Sequence, residues 1–474
     1  MDLHRLSDIN RTTFCIAFRR LMIRLAFYGD DFTGASDNAA QYARHGLRTL
    51  LFFSNPDAEV LKKAAQSYDV IGVAGTARSL PPAEMADELL PVLENFSQLG
   101  VSFIQYKCCS TFDSSPSIGS LGEAIRLMRK QWPQSFVPVF AATPEFGRYT
   151  LFGHHYARAG EQVYRLDRHP VMSRHPVTPM HESDLGKVLT EQGFEPQQQI
   201  DLRQLDACEA HPAVLADQLA QKDSAVFDGY TQRQVITGAA SLWQLSRSRV
   251  ICAMAAQGLA HALGAHLREQ GQITAPEPSH TLAPVDRLLV LSGSCSALSA
   301  AQIDWAIDEG FKSIRITPEQ LISADEATVQ TLQQQMLTAL AAGNSVVVYT
   351  AKGPDDDQVA AVQGKLPAGV SAPAFVANRI GLLYSRLARA AIVDAGLTRM
   401  VIAGGDSSSF TMRQLGAMAL ETKASHFKQN AHVCTLLSDD SQINGKEVLL
   451  KGGQVGTPEL YGLMLKGFTG QADP

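Results

Sequence analysis

The stretch IRLAFYGDDFTGASDNAAQYARHGLRTLLFF, residues 23–53, decides the fold class. Its first part, IRLAFYGDD, is an apolar run that ends in a glycine and two aspartates, which predicts a buried strand leaving into a turn. The middle part, ASDNAAQYARHG, predicts a helix that ends at Gly46, and RTLLFF predicts the next strand. This succession of strand, helix and strand is typical of an α/β fold.

The same pattern continues along the chain. DVIGVAG (69–75) predicts a strand, PPAEMADELLPVLENFSQLG (81–100) a helix and SFIQYK (102–107) another strand. After residue 287, strand-like runs that end in Gly or Ser alternate with helical segments such as FTMRQLGAMALE (410–421). We therefore expect two α/β domains, each with a mainly parallel sheet flanked by helices.

The polar stretch GQITAPEPSHTLAPVDR, residues 271–287, is the best domain boundary because it holds three prolines and no apolar stripe. We predict domains over 22–270 and 286–474, with 271–285 as the linker. Residues 1–21 would form an N-terminal extension upstream of the natural start, since a strand begins directly after Met22. The alternative is that this Arg-containing segment is a targeting helix.

Composition excludes several classes of protein. The chain has 474 residues, a formal net charge of −6 and 45% hydrophobic residues, so disorder and coiled coil are excluded and nucleic acid is not an expected partner. No apolar run approaches the about 18 residues of a membrane span, so no membrane is expected. Seven scattered cysteines without a C-x-x-C pair favour reduced thiols and a cytoplasmic location over disulfides or structural zinc.

Two adjacent carboxylates form the first candidate site. Asp30 and Asp31 follow the first strand in YGDDFTGASDNA, and Gly34 precedes the helix. Ligands of open α/β sheets bind beyond the carboxyl ends of the strands, where carboxylates would hold sugar hydroxyls or a metal. The alternative is that both aspartates cap the helix or its turn, and the local pattern does not decide between these roles.

Two cations follow later strands of the first domain. Arg78, in GTARSL, offers a planar fork that matches a carboxylate, although a solvated surface arginine is the simpler interpretation. Lys107 leads into a run of donors, YKCCSTFDSSPSIGS (106–120), that suits an oxygen-rich anion. The alternative for this run is an ordinary Ser-rich loop in which Cys108 and Cys109 are small buried residues.

Three histidines, His169, His175 and His181, lie in the proline-containing segment YRLDRHPVMSRHPVTPMHESDL (164–185). Their spacing matches no helical ligand pair such as H-E-x-x-H. A rigid loop that shapes a cleft is therefore favoured over a zinc site, and we expect no residues dedicated to a metal.

Glycine-rich loops mark the second domain. SGSCS (292–296) and AGGDSSS (403–409) each join a strand to a helix, where backbone N–H groups and the helix N-terminus favour phosphate. KGGQVG (451–456) adds a lysine and a third flexible backbone. None of these loops matches a P-loop or the dinucleotide fingerprint, but three in one domain favour a nucleotide site over ordinary turns.

Taken together, YGDDFTGA, YKCCSTFDSSPSIGS, SGSCS, GGDSSS and KGGQVG resemble the four-carbon acid sugar kinase family, over nearly the whole chain from residue 22. The resemblance implies an ATP-dependent kinase with an N-terminal acid-sugar domain, a C-terminal nucleotide domain and the active site in the cleft between them. The acceptor would be threonate, erythronate, 3-oxo-tetronate or a related branched oxo-acid. Phosphoryl transfer also calls for Mg²⁺.

Carried over to this chain, the resemblance implies two sets of site residues. The substrate set comprises Asp30, Asp31, Arg78, Lys107, Ser110 and Thr111. The nucleotide set comprises Ser294, Ser296, Gly404, Gly405, Asp406, Ser407, Gly453 and Gly456. We expect Asp31 to be the catalytic base and Asp30 to orient the acceptor, while Asp406 would either approach Mg²⁺ or cap a helix.

This chain departs from the family pattern in three places: GGDSS stands for GGDTS, AAQGLA (255–260) for a Gly-Ser pair before AGLA, and KGGQVG for KSGNFG. The second change removes a hydroxyl, so a sugar-acid-binding sensor without turnover is the main alternative function. A dinucleotide-dependent oxidoreductase is disfavoured because its fingerprint is absent. The expected partners are a small sugar acid and ATP, and the layout is compatible with a homo-oligomer.

Overall fold

The computed structural model describes residues 25–175, 177–273, 281–366, 372–426 and 430–469. By its internal contacts the chain forms two compact units. Of the described residues, the first unit contains 25–30, 41–50 and 55–273, and the second contains 31–40, 51–54 and 281–469, with the gaps given above. The predicted N-terminal extension lies outside the described residues, as does the middle of the predicted linker, 274–280.

Strands and helices alternate through the first half of the chain. The elements of residues 25–273 are, in order, β1 (Leu25–Gly29), α1 (Phe32–Arg44), β2 (Thr49–Phe52), α2 (Ala58–Ser67), β3 (Val70–Ala74), α3 (Pro82–Gln98), β4 (Phe103–Lys107), α4 (Leu121–Gln131), β5 (Val137–Phe140), β6 (Arg148–Leu151), β7 (His154–Ala159), β8 (Gln162–Arg165), α5 (Leu185–Glu191), β9 (Gln199–Ile200), α6 (Leu202–Ala207), α7 (Pro212–Leu219), β10 (Ser224–Phe227), α8 (Gln232–Leu245), β11 (Ile251–Ala255) and α9 (Gln257–Glu269).

The first unit is built on a parallel sheet with strand order β3-β1-β4-β11-β5-β10-β9. Strand β1 lies between β3 and β4, so the chain turns to one side of β1 and later to the other. Such a reversal of strand order opens a crevice at the carboxyl ends of the strands. A small antiparallel sheet, β6-β7-β8, is added to this unit.

Apolar strands and amphipathic helices explain the parallel sheet. Strands β1, β3, β4 and β11 are buried at every position, as expected where helices cover both faces. Helix α3 buries Met85, Leu89, Val92 and Phe96, which recur every three or four residues along one face. Helix α4 begins at a Ser120 side chain that accepts a hydrogen bond from the Glu123 N–H.

The second half of the chain shows the same alternation. Its elements are β12 (Thr281–Leu282), β13 (Leu289–Ser292), α10 (Ala297–Asp308), β14 (Lys312–Arg315), α11 (Pro318–Ser323), α12 (Glu326–Ala341), β15 (Val346–Tyr349), α13 (Asp357–Gln363), α14 (Ala372–Val393), β16 (Arg399–Ala403), α15 (Gly405–Leu415), β17 (Ala419–His426), β18 (Ala431–Leu437), β19 (Glu447–Lys451), α16 (Leu460–Lys466) and β20 (Phe468–Thr469).

The second unit has strand order β14-β15-β13-β16-β19-β18-β17. Strands β14 to β19 in this order pair in parallel, and β18 and β17 add antiparallel pairs. Strand β13 lies between β15 and β16, which is again a reversal of strand order. The predicted fold class, α/β with mainly parallel sheets flanked by helices, is confirmed.

One predicted helix is partly wrong. The segment 410–421 is helical only as far as Leu415, and Gly416 adopts φ +83°, a left-handed conformation that favours glycine and ends helices. The chain then enters strand β17 at Ala419. Among the described residues, no helix is long and apolar enough to cross a membrane.

Candidate active site

Three neighbouring strands of the first unit end at the same place. Gly29 at the end of β1 pairs with Ala74 of β3 on one side and with Lys107 of β4 on the other. Directly beyond, the Asp30 N–H donates to the Lys107 carbonyl at 3.1 Å, and the Arg78 N–H donates to the Asp30 carbonyl at 3.1 Å. The parallel register therefore brings Asp30, Arg78 and Lys107 together, as the sequence predicted for the strand ends.

Asp30 and Arg78 form a two-point ion pair. Arg78 Nη2 lies 2.6 Å from Asp30 Oδ1, and Arg78 Nε lies 3.3 Å from Asp30 Oδ2. The Asp30 side chain is 1% exposed and that of Arg78 is 23% exposed. The fork of Arg78 thus engages a carboxylate of the protein itself, and binding of a substrate carboxylate by Arg78 stays a prediction.

Asp31 lies at the start of α1. Its Oδ1 accepts from the Gly34 N–H at 3.2 Å, and its Oδ2 accepts from the Thr33 hydroxyl at 2.8 Å. These bonds are those of a helix cap, the alternative that the sequence left open for this residue. Asp31 is half-buried, whereas Asp30 is buried. A capping carboxylate oxygen keeps a second lone pair, so the cap does not exclude a role for Asp31 as a base.

Residues 31–40 belong to the second unit by their contacts. A Cβ placed on Gly452 would lie 3.8 Å from Thr33 Oγ1, and one on Gly405 would lie 4.0 Å from it. Asp31, which holds that hydroxyl, therefore lies beside two of the glycine loops that the sequence assigned to nucleotide.

Lys107 is buried, 2% exposed, and its Nζ donates to the Cys108 carbonyl at 2.7 Å. The following loop is compact, since the Phe112 N–H donates to the Cys109 carbonyl at 2.9 Å. Thr111 Oγ1 lies 3.2 Å from Cys109 Sγ. Burial, followed by the nearby Asp30 charge, raises the pKa of the Cys108 thiol, which disfavours it as a nucleophile.

His155, on β7, is a residue that the sequence did not single out. Its Nε2 donates to the Ser110 carbonyl at 2.9 Å, and its Nδ1 accepts from the Thr150 hydroxyl at 3.0 Å. His155 is fully buried, and this burial lowers its pKa to about 4, so the ring is neutral. It fixes the loop that carries Ser110, and no sequence motif announces that role.

The histidine-containing segment is tied to the same loop. Thr178 donates its hydroxyl to Asp113, and the Thr178 N–H donates to His175 Nδ1 at 3.1 Å. His169 Nδ1 accepts from the Val171 N–H at 3.2 Å. His169 and His175 thus have protein partners, and no cluster of three metal-ligating side chains occurs among the described residues. Through the bond between Thr178 and Asp113, the segment stabilises the Ser-rich loop that follows Lys107.

In the second unit, β13, β16 and β19 end side by side. Ser292 pairs with Ala403, and Ala403 pairs with Lys451. Beyond the strands, the Gly293 N–H donates to the Ala403 carbonyl at 2.8 Å and the Gly404 N–H donates to the Lys451 carbonyl at 2.9 Å. The three glycine-rich loops predicted from the sequence therefore leave adjacent strands.

Hydroxyl groups line the start of α10. Ser296 caps this helix by accepting from the Ser299 N–H at 3.1 Å, and its hydroxyl donates to the Gly453 carbonyl at 2.6 Å. Ser299 Oγ lies 3.0 Å from Ser294 Oγ. Ser294, Ser296 and Gly453 are thus brought together, as the resemblance implied.

The loops approach each other so closely that glycine is required. A Cβ on Gly293 would lie 2.3 Å from the hydroxyl of Ser407, and Gly404 has φ +125°. Helix α15 begins at Gly405, so Ser407 lies in its first turn. Gly456 turns the last loop with φ +85°. The side chain of Asp406 lies outside the described part of the structure.

Lys451 belongs to this site, although the sequence analysis did not include it in the nucleotide set. It ends β19 and is fully buried, and its Nζ lies 3.3 Å from Ser299 Oγ. Burial lowers the pKa of its ammonium group to about 8. The KGGQVG string showed a lysine next to glycines, but a strand-end position alone does not reveal burial.

Comparison with known proteins agrees with this division of chemistry. Residues 25–263 match the family model of a sugar-binding N-terminal domain, and residues 289–460 match that of a nucleotide-binding C-terminal domain. The crystal structure of Haemophilus influenzae protein HI1011 has the same fold, with a TM-score of 0.67 and 23% identity over 92% of this chain and 98% of that one.

Two curated relatives cover almost the full length. The 3-oxo-isoapionate kinase of Paraburkholderia graminis is 36% identical over 446 residues, which is 94% of this chain and 94% of that protein. The 3-oxo-tetronate kinase of Pseudomonas savastanoi pv. phaseolicola is 27% identical over 453 residues, covering 94% and 98%. The resemblance drawn from the motifs is confirmed, and the chain belongs to the four-carbon acid sugar kinase family of carbohydrate phosphotransferases.

Proposed function

We propose that this protein transfers the γ-phosphoryl group of ATP to a hydroxyl of a small 3-oxo sugar acid. The observation that carries the proposal is the pair of strand-end sites with different chemistry. Carboxylates and cations gather in the domain that matches a sugar-binding model, and glycines, hydroxyls and a buried lysine gather in the domain that matches a nucleotide-binding model.

The glycine loops of the second unit support ATP as the phosphoryl donor. Phosphoryl transfer needs positioning and charge stabilisation more than covalent chemistry from the protein. The hydroxyls of Ser294 and Ser296, together with the N-terminus of α10, give a phosphate-binding environment without a P-loop sequence. We place the phosphates along these loops, with Ser294 and Ser407 as hydroxyl donors.

The strand-end site of the first unit and the names of the relatives support a sugar acid as the phosphoryl acceptor. The two relatives described above carry names of 3-oxo acid kinases, and the one named for 3-oxo-isoapionate is 36% identical. A neutral polyol would not compensate the charge of Lys107, which is buried and, among the described residues, donates only to the neutral Cys108 carbonyl. We therefore propose that an acid such as 3-oxo-tetronate, threonate, erythronate or a branched oxo-acid binds there through its carboxylate.

We propose Asp31 as the base that accepts the proton of the acceptor hydroxyl. Asp30 is buried and held by Arg78, so its role is to orient rather than to exchange a proton with substrate. Asp31 is more exposed and lies beside the glycine loops through Thr33. General-base catalysis contributes typically about 10²–10⁴-fold, so the assignment has a measurable consequence.

We propose that Mg²⁺ enters with the nucleotide. This ion keeps several water ligands and is usually bound by one or two carboxylates and by substrate phosphates, so it needs no preformed cluster of protein ligands. The described residues contain no such cluster, and the hydroxyls of Ser294 and Ser407 lie where such phosphates would bind. Bound Mg²⁺ would neutralise charge that develops on the phosphates.

The free state of the described cysteines supports our proposal of a reducing, cytoplasmic environment. Thiol titration of the unfolded protein, purified without reductant, would return seven reactive thiols. A lower count that dithiothreitol restores would argue for an oxidising compartment.

The test of the activity is a coupled ADP-release assay over a panel of acids and their alcohol analogues. We expect Mg²⁺- and ATP-dependent ADP release with one or more C4 or branched C5 acids and little with any alcohol. Substitution of Arg78 by Lys keeps the charge but loses the fork, so it should lower the acid-to-alcohol ratio while leaving ATP affinity unchanged. A folded protein that binds ATP but turns over no acid would favour the sensor instead.

A further inference from the structure

The ammonium group of Lys451 lies where β19 enters the glycine loop 451–456 of the second unit. Lys451 is the last residue of β19 and is fully buried, with Nζ 3.3 Å from the Ser299 hydroxyl. That distance is longer than the about 2.7–2.9 Å that is typical of a charge-assisted hydrogen bond. A buried charge is costly unless it is paired, so the site is incomplete in the free protein.

No carboxylate of the described residues lies within ion-pair distance of Lys451. The carboxylate of Glu447, at the other end of β19, pairs with Arg399 and Lys423. The partners around Lys451 are instead hydroxyls, those of Ser299 and, through it, Ser294. Hydroxyls can accept from an ammonium, but they do not neutralise it.

The surroundings of Lys451 are suited to an anion. The adjacent loop contains Gly452 and Gly453, and the neighbouring strand continues into Gly404. Helix α10 presents its N-terminus, capped by Ser296, to the same hydroxyl network. Hydroxyl groups, a helix N-terminus and one uncompensated cation converge on this place, which is the chemistry of a phosphate oxygen site.

We infer that Lys451 binds a phosphate group of the nucleotide and supplies the protein's positive charge to it. This inference rests on the proposed function, because it names the residue that holds the donor. It also explains why a charged residue is kept in a fully buried position: the bound phosphate supplies the counter-charge that the folded chain does not.

The lowered pKa of Lys451 is caused by burial alone. The elements around β19 and its loop carry these titratable or charged residues: Asp31 before α1, Asp37 on α1, Cys295 before α10, Asp304 on α10, Arg399 on β16, Arg413 on α15, His432 and Cys434 on β18, Glu447 on β19 and Tyr461 on α16. Asp37 lies near His432, Asp304 pairs with Lys352, and Arg399 pairs with Glu447. A phosphate would therefore be the first strong anion to reach the ammonium, and it would raise the pKa.

The experiment measures ATP binding and linked proton uptake by calorimetry in two buffers of different ionisation enthalpy. At pH 8.5 the free ammonium is partly neutral, so wild type should take up a fraction of a proton when ATP binds. Above pH 8 its affinity should fall with pH. Lys451→Arg stays charged and should bind ATP without proton uptake, and Lys451→Met should bind about 10–100-fold more weakly, also without uptake.

Lys423→Met is the matched control. Lys423 lies in the same unit, is about half exposed and pairs with Glu447. Its substitution should leave ATP affinity and proton uptake at wild-type values. Circular dichroism and the unfolding midpoint establish that each variant is folded, and Lys451→Arg keeps the inference testable even if Lys451→Met fails to fold.

Two results would overturn the inference. One is wild-type affinity with unchanged proton uptake in Lys451→Met, and the other is proton uptake that persists in Lys451→Arg. If wild type binds no ATP, the proposed nucleotide is wrong, and the same titrations with pyrophosphate decide about Lys451. Tighter pyrophosphate binding by wild type than by Lys451→Met would support the anion site, and equal or absent binding would refute it.

Discussion

Lys107 and Lys451 are both buried lysines at the end of a parallel strand, yet their surroundings differ. Lys107 ends β4, directly beside the reversal of strand order at β1, whereas Lys451 ends β19, one strand further from the reversal at β13. Lys107 donates to the Cys108 carbonyl at 2.7 Å and lies beside the Asp30–Arg78 ion pair. Lys451 has one hydroxyl at 3.3 Å.

The difference shows two ways of preparing a site for an anion. The first site pairs the Asp30 carboxylate with the Arg78 guanidinium within the protein, so these two charges are compensated before a ligand arrives. The second site leaves a buried charge uncompensated, so the ligand itself must complete it. Functional sites often keep such an unfavourable group at a cost in stability.

The largest expected effect tests which carboxylate exchanges the proton. Asp31→Asn should lower kcat about 10²–10⁴-fold with ATP affinity little changed, because the amide cannot accept a proton. The amide oxygen can still cap α1, so the fold should persist. Asp37→Asn, on the same helix, is the control and should retain activity. A near-normal kcat in Asp31→Asn would show that another residue is the base and that Asp31 only caps helix α1.

The second prediction contrasts the stability of the two sites. Arg78→Ala strands the buried Asp30 carboxylate and should destabilise the protein by about 3–5 kcal/mol. Lys451→Met removes an uncompensated charge and should raise the unfolding midpoint of the ligand-free protein. Chemical denaturation without nucleotide measures both. If Lys451→Met were destabilising, the ammonium would have a partner in the free protein and the comparison would fail.

The third prediction sharpens the account of the glycine loops. Gly293→Ala places a Cβ 2.3 Å from the Ser407 hydroxyl and 3.0 Å from the Ser407 Cβ, so the hydroxyl must leave its position and the two loops must separate slightly. We expect ATP affinity to fall about tenfold or more, a loss of about 1.4 kcal/mol, without loss of the fold. Gly364→Ala, where the nearest atom would lie at 3.7 Å, is the matched control. Equal ATP affinity in both variants would show that Gly293 does not contribute to nucleotide binding.

The smallest effect concerns acid stability in the first unit. The pKa of His155 is lowered to about 4 from an ordinary 6.5, so between these values the unfolded chain binds more protons than the folded one. Stability from His155 is thus complete above pH 6.5 and is lost as pH falls toward 4. His155→Gln keeps a donor for the Ser110 carbonyl, so its stability relative to wild type should improve with acidification below pH 6.5. An unchanged difference would mean that His155 is not buried as a neutral ring.

Lys451 predicts a second window of the same sign, at alkaline pH, in the second unit. Its folded pKa of about 8 lies below the ordinary 10.5, so the stability of the ligand-free protein should rise between these pH values. The advantage of Lys451→Met over wild type should therefore shrink from pH 8 to pH 10.5. The two windows arise from one cause, the burial of a base.

Local sequence patterns were sufficient for the fold class and for most candidate residues. The apolar runs before Asp30, Lys107 and Gly404 predict strands because burial on both faces requires continuous apolar residues. Glycine and hydroxyl clusters at strand ends then marked the positions where a parallel sheet binds ligands. The strand β17 was missed because Leu415 and Met418 fit a helical period equally well, and only the turn at Gly416 ends it.

By itself, the sequence determined which residues follow each strand and hence which chemistry each unit carries. The succession of strands and loops along the chain can be predicted from local patterns and needs no long-range information. Only the tertiary structure decided that Arg78 pairs with Asp30, that His155 holds the Ser110 carbonyl and that Lys451 is buried without a counter-charge among the described residues. Each of these facts depends on registers between strands far apart in sequence. Whether a charge is paired or uncompensated is a property of its neighbours in space, which no local pattern specifies.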